Sequence, residues 1–153
     1  MLSDTKYGVS CRGGRLGITL HKSGTHPDAR GDNGISFFKY AIYPHLNELG
    51  MDTIKNAYSF NYSPVLTARR DMSVPYSLTG DESVVVETVK HGEDGGIVLR
   101  MYEALGATAN VTISSAQREI VECNILEDEK CCLGKETARV TFTPFEIKTI
   151  KLK

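Results

Sequence analysis

The sequence predicts an all-β protein, a β-sandwich with one short helix. Three observations carry that expectation. Many of the 14 glycines separate short apolar runs, the punctuation of strands joined by turns. Residues 15–21 alternate, with Leu16, Ile18 and Leu20 interleaved by Arg15, Gly17 and Thr19; a period of two sets one face against a core and the other in water. The second half of the 153-residue chain reads as six or so short strands with turns at regular spacing, as in a sandwich.

Tyr7 to Ser10 and Arg15 to His21 flank Arg12-Gly13-Gly14, where two successive glycines permit positive φ at both positions. Lys22 to Gly34 is a long polar loop with three glycines and a proline, a length that is uncommon in compact domains and often functional. Aromatic and β-branched residues predict a strand from Ile35 to Tyr43, closed by Pro44-His45. Leu46, Leu49, Ile54, Ala57 and Tyr58 recur at helical spacing, which predicts a helix over about Leu46 to Ala57 with Gly50 weakening its middle. Val65 to Val74 reads as an extended connector, with Arg69-Arg70-Asp71 on the surface. Beyond it lie strands at Ser83 to Lys90, Ile97 to Ala104, Ala109 to Ser114, Ile120 to Asn124, Thr137 to Phe142 and Glu146 to Leu152. His91 to Gly96 is a hairpin loop by composition, and Glu127 to Lys130 a solvated charged tip. The chain divides on this reading into residues 1–66 and 67–153.

Hydrophobic residues make up 41% and charged residues 24%, enough apolar surface to offset chain entropy, so disorder is not expected. With 18 basic and 19 acidic residues, no charge asymmetry points to nucleic acid or to an anionic membrane surface. No apolar run approaches the roughly 20 residues of a membrane helix, and the first residues lack the apolar centre of a signal peptide. Cys11, Cys123, Cys131 and Cys132 form no CxxC pair, and adjacent cysteines bridge only with strain. Reduced thiols in a soluble cytoplasmic protein are the expectation. Asp4 to Gly14 already reads as a strand–turn segment, so the chain is expected to be a fragment that enters a sheet partway.

No complete catalytic motif is present. A G-x-S-x-G elbow, a P-loop and HExxH are all missing, and Gly13 to Gly17 reads as a turn. His21, His26, His45 and His91 show no recurring ligand spacing, although His21 and His26 converging with Asp28 and Asp32 would resemble a metal site. Glycosidases need two carboxyl groups about 5–5.5 Å apart in their retaining form. Asp28 and Asp32 lie close enough in sequence for a loop to bring them together, but acids in a Gly/Pro loop more often cap their own backbone. No catalytic residue and no metal ligand is assigned.

Several segments, in order, resemble the C-terminal β region of glycoside hydrolase family 38, the α-mannosidases. They are Asp4 to Gly8, His26 to Gly34 leading to Phe38 to His45, Glu87 to Lys90 with Val98 to Ala104, Glu122 to Glu127, and Pro144 to Thr149. The resemblance covers the chain nearly end to end. It implies that residues 1–66 are the last part of a large galactose-mutarotase-like supersandwich, truncated at its start, and that residues 67–153 are a small C-terminal β-sandwich. It implies a retaining α-mannosidase whose nucleophile and zinc belong to an N-terminal catalytic domain. This chain would then be inactive by itself, a packing partner for the catalytic and helical domains that helps complete a site for α-mannosides. Asp28, Arg30 and Asp32 are the candidate substrate contacts, because Arg30 can donate paired bonds to hydroxyls or a carboxylate and the aspartates can accept from sugar hydroxyls. The competing reading is an independent carbohydrate-binding or structural interaction module. Trp is absent, and Tyr43, Tyr58, Tyr62, Tyr76 and Tyr102 sit near expected core or junction positions, which counts against exposed sugar-stacking rings. An exposed docking patch would also allow a homodimer.

Overall fold

The computed structural model describes every residue except Asp32, Asn47, Thr67, Arg69, Arg70, Asp71 and Met72, together with the side chain of Gln117. The expected surface position of Arg69-Arg70-Asp71 thus lies outside the described residues. The chain forms two compact units, Met1–Leu66 and Thr67–Lys153.

In the first unit, β1 (Leu2–Ser3) pairs antiparallel with β4 (Tyr40–Ala41). Between them, β2 (Val9–Arg12) and β3 (Arg15–Ile18) form a hairpin. Its turn takes φ of 54° at Gly13 and 74° at Gly14, the left-handed pair that a tight hairpin requires and that glycine adopts without steric cost. The hairpin forms where expected, but its apolar alternation seals nothing: Val9 and Leu16 are each about half exposed. The nine-residue strand expected over 35–43 shrinks to Tyr40–Ala41. A strand persists only as far as a neighbour pairs its amides, and β1 offers two residues.

The helix, α1 (Met51–Asn61), is displaced toward the C-terminus of the expected span. Gly50 is its N-cap, with φ −130° and ψ 178°, rather than a weak point in its middle. Glycine is poor inside a helix but tolerated at the cap. Tyr62 N–H donates to the Tyr58 carbonyl at 2.8 Å and closes the last turn. No described residue of Met1–Leu66 is buried.

The second unit is a six-stranded antiparallel structure. It comprises β5 (Ser77–Gly80), β6 (Val84–His91), β7 (Ile97–Glu103), β8 (Ala109–Cys123), β9 (Glu129–Phe142) and β10 (Ile147–Leu152). The order is β5-β8-β10-β7-β6, with β9 along the other edge of β8. The two strands expected at 109–114 and 120–124 are one 15-residue strand. Residues 111–114 pair with β5 and residues 120–123 with β10. The register with β9 shifts between Ser114 and Glu119, and the core-facing positions switch from Ala109, Val111 and Ile113 to Ile120. Extra residues in one strand re-aim the side chains beyond them: residues 115–118 of β8 stand opposite Glu136 alone.

The core gathers Leu99, Met101, Val111, Ile113, Ile120, Val140, Phe142, Ile150 and Leu152. At roughly 25 cal/mol per Å² of apolar surface removed from water, this burial is the main stabilising term of the unit. Glu103, 1% exposed, ties two of its turns together. Its carboxylate accepts from Leu105 N–H at 3.0 Å, Gly106 N–H at 2.7 Å and Phe145 N–H at 3.1 Å.

Candidate functional site

The long loop of the first unit is held by its own backbone. Asp28 Oδ1 accepts from Arg30 N–H at 2.9 Å. The Asp28 carbonyl accepts from Gly31 N–H at 3.2 Å, and the Arg30 carbonyl from Asn33 N–H at 3.0 Å. Aspartate shapes turns in this way because its short carboxylate reaches the amide two residues on. Gly31, at φ 39°, permits a close approach: a Cβ there would lie 2.4 Å from the Gly24 carbonyl oxygen. Asp28 and Arg30 are both exposed, and Asp32 lies outside the described residues. The loop therefore joins Asp28 to the Arg30 backbone, and the described side chains form no acid–base pair there. Among the described residues, which do not include Asp32, no three His, Cys, Asp or Glu side chains come together as ligands.

The same unit exposes large apolar side chains. Ile35 and Phe37 are 87% and 89% exposed, and Ile42, Leu46, Leu49, Val65 and Leu66 are exposed as well. Monomeric surfaces carry scattered apolar residues, but concentrations of them mark interaction faces.

The second unit holds a charged groove on the outer face of β7 and β10, about 470 Å³ in volume. Its centre is Glu127, whose side chain is 16% exposed and contacts both Lys90 and Arg100. These cations, Lys90 foremost, hold its carboxyl below the usual range. Lys151 enters from β10 and donates to Asp94 Oδ2 at 3.0 Å and to the Glu127 carbonyl at 3.3 Å. Asn124 caps the turn, accepting from Leu126 N–H at 2.9 Å and Asp128 N–H at 3.0 Å. Of the solvated tip expected at 127–130, Asp128, Glu129 and Lys130 are exposed, but Glu127 is not. Glu127 is the partly buried hub of an ion network, and Glu129 and Lys130 open β9. The sequence carried one usable sign, Asn124 heading a turn, because asparagine caps its own backbone. The cationic partners come from other strands and were not legible. Lys90, Arg100 and Lys151 each meet an acidic partner, so the groove braces two loops.

No helix of the described residues is long and apolar enough to cross a membrane. Residues 83–150 match the profile of the glycosyl hydrolases family 38 C-terminal beta sandwich domain. Over 99% of its length, the chain is 34% identical to alpha-mannosidase G of Dictyostelium discoideum, of which it covers 15%. It is 35% identical, over 80% of its length, to an alpha-mannosidase of Saccharomyces cerevisiae, covering 13% of it. Alpha-mannosidase 2C1 of Homo sapiens is 32% identical across 99% of the chain, which spans 16% of that protein. The chain therefore spans about one sixth or less of the curated relatives it matches.

Proposed function

Since this chain carries the C-terminal β-sandwich domain of glycosyl hydrolases family 38, we propose that it is the C-terminal β region of an α-mannosidase, packing against a catalytic domain and helping to complete its site. Residues 1–66 would be the end of that enzyme's large sandwich and residues 67–153 its small one. One observation carries the reading: the second unit encloses a complete apolar core, whereas the first unit buries none of its described residues. A folded segment gains little from apolar residues left in water. Ile35, Phe37 and their neighbours are accordingly assigned to the interface with the rest of the enzyme.

The nucleophile and the zinc implied by the family resemblance belong to that other part, so no chemical step is derived through this chain. Arg30, with Asp28 shaping its loop, is assigned to contact with sugar hydroxyls or with a carboxylate of the catalytic domain, and Asp32 to contact with sugar hydroxyls. Four free cysteines, three of them exposed, suit a reducing compartment such as the cytoplasm. Without its partner domain, the exposed face would pair two copies of the chain, which sedimentation at several concentrations would detect.

The test is reconstitution. The chain and a polypeptide carrying the remainder of a family α-mannosidase are expected to associate and hydrolyse an aryl α-mannoside together, with neither active alone. Hydrolysis by this chain unaided, or failure of the two to associate, would overturn the reading. In the reconstituted enzyme, Arg30→Ala is expected to raise KM by about tenfold or more, the loss of a charge-assisted hydrogen bond of roughly 1.5–3 kcal/mol.

A further inference from the structure

A pocket of about 390 Å³ lies between the segment after β1 and the C-terminal half of α1, lined by Asp4, Tyr7, Ala57, Tyr58, Asn61 and Tyr62. Three tyrosines, one carboxylate and one amide form an unusual lining for a surface helix. Tyr58 and Tyr62 lie one helical turn apart, their rings stacked 5.7 Å apart at 21°. Tyr62 is 66% exposed and Tyr7 76%, so Tyr62 is not a core position. Tyr7 is anchored by its hydroxyl, which donates to the Asp4 carbonyl at 2.8 Å.

Asp4 is fixed from one side. Its Oδ1 accepts from Lys39 N–H at 2.8 Å and from the Thr5 hydroxyl at 3.1 Å, while Oδ2 takes no hydrogen bond among the described residues. Asn61 donates one N–H to the Ala57 carbonyl at 3.0 Å, and its amide makes no other hydrogen bond among the described residues. The pocket thus pairs aromatic surface with a preset carboxylate oxygen and an amide. Ligand sites share this composition: mostly apolar walls with a few placed polar groups.

We infer that this pocket is a binding subsite for a neutral pyranose ring, an α-mannoside in the parent enzyme. A pyranose presents C–H groups on one face, which suit the electron-rich face of a tyrosine, and hydroxyls at its edge, which donate to a carboxylate and exchange bonds with an amide. The near-parallel Tyr58 and Tyr62 rings decide against the main competitor. A cage for an organic ammonium needs ring faces converging on one point, whereas the Tyr58 and Tyr62 ring planes lie within 21° of parallel. The choice of mannoside rests on the proposed α-mannosidase function; the pocket chemistry does not.

The test is an NMR titration of the full 153-residue chain with methyl α-mannoside, following the tyrosine ring signals. One saturable isotherm at Tyr7, Tyr58 and Tyr62 is expected, with Kd of about 1–10 mM. Asp4→Asn and Tyr62→Ala are each expected to weaken binding about tenfold or more, and Tyr62→Phe, which keeps the ring, to leave it within about threefold. Signals of the second unit report whether each variant remains folded. Ring signals unmoved by the sugar would overturn the subsite, as would saturation by tetramethylammonium in its place or equal loss in Tyr62→Phe. Any of these results would leave the reconstitution outcome untouched, so failure here is distinct from failure of the enzyme assignment.

Discussion

At Glu103 a carboxylate is almost wholly enclosed and yet ionised. Burial pushes its pKa upward, but the N–H groups of Phe145, Leu105 and Gly106 outweigh burial and hold it at about 2, down from 4.5. A group whose pKa falls on folding stabilises the fold above its unfolded value and loses that contribution as pH drops toward the folded value. Glu103→Gln is therefore expected to lower the urea midpoint at neutral pH. The gap between wild type and variant should close as pH falls from 4.5 toward about 2, where both side chains are neutral. A gap that stays constant across that range would show that shape rather than charge matters. Gly80 is a second residue fixed by its surroundings: at φ 125°, a Cβ would lie 2.3 Å from the Asn110 carbonyl oxygen. Gly80→Ala is expected to cost about 2 kcal/mol or more in denaturant unfolding, since both backbone strain and a clash oppose it.

Among the elements, β8 pairs with β5, β9 and β10, and the core side chains of these strands are the least dispensable. Phe142, fully buried, is expected to cost about 3–5 kcal/mol on replacement by Ala, read from chemical denaturation. The charged groove supplies a different kind of test. Removing Asp94 leaves Lys151, whose side chain is 9% exposed, without its partner, whereas Lys151→Met removes the buried charge itself. Breaking one side of a buried pair is worse than replacing the charge with an apolar group of similar volume. Asp94→Ala is thus expected to lower the melting temperature more than Lys151→Met does, with the double variant closer to Lys151→Met. Most strands of this unit were legible from alternation and turn spacing, but β5 and the first half of β9 were not. The continuity of β8 was not, since the register shift at 115–119 depends on how β9 lies alongside, and nothing local announces it. Nor was the start of α1: helical spacing began at Leu46, but the chain turned the glycine at 50 into a cap.

For the molecule as a whole, the contrast between the two units sets the expectation. Phe37→Ser, at an exposed position of the first unit, is expected to change stability of the isolated chain by about 0.5 kcal/mol or less. The same change should weaken association with the rest of the enzyme at least tenfold, measured by titration calorimetry; equal affinity would remove Phe37 from the interface. By itself, the sequence determined the all-β class, the hairpin at Gly13-Gly14 and the family of the second unit, because alternation, turn residues and ordered motifs are local properties written along the chain. It also raised Asp28 as a turn-former, the role its carboxylate takes toward the Arg30 amide. Only the tertiary structure decided that Glu127 is the hub of an ion network, that Ile35 to Tyr43 is mostly unpaired and exposed, and that Tyr7, Tyr58 and Tyr62 share a pocket with Asp4. Each of these depends on which distant residues arrive beside it, and burial, pairing and charge matching are settled between segments rather than within them.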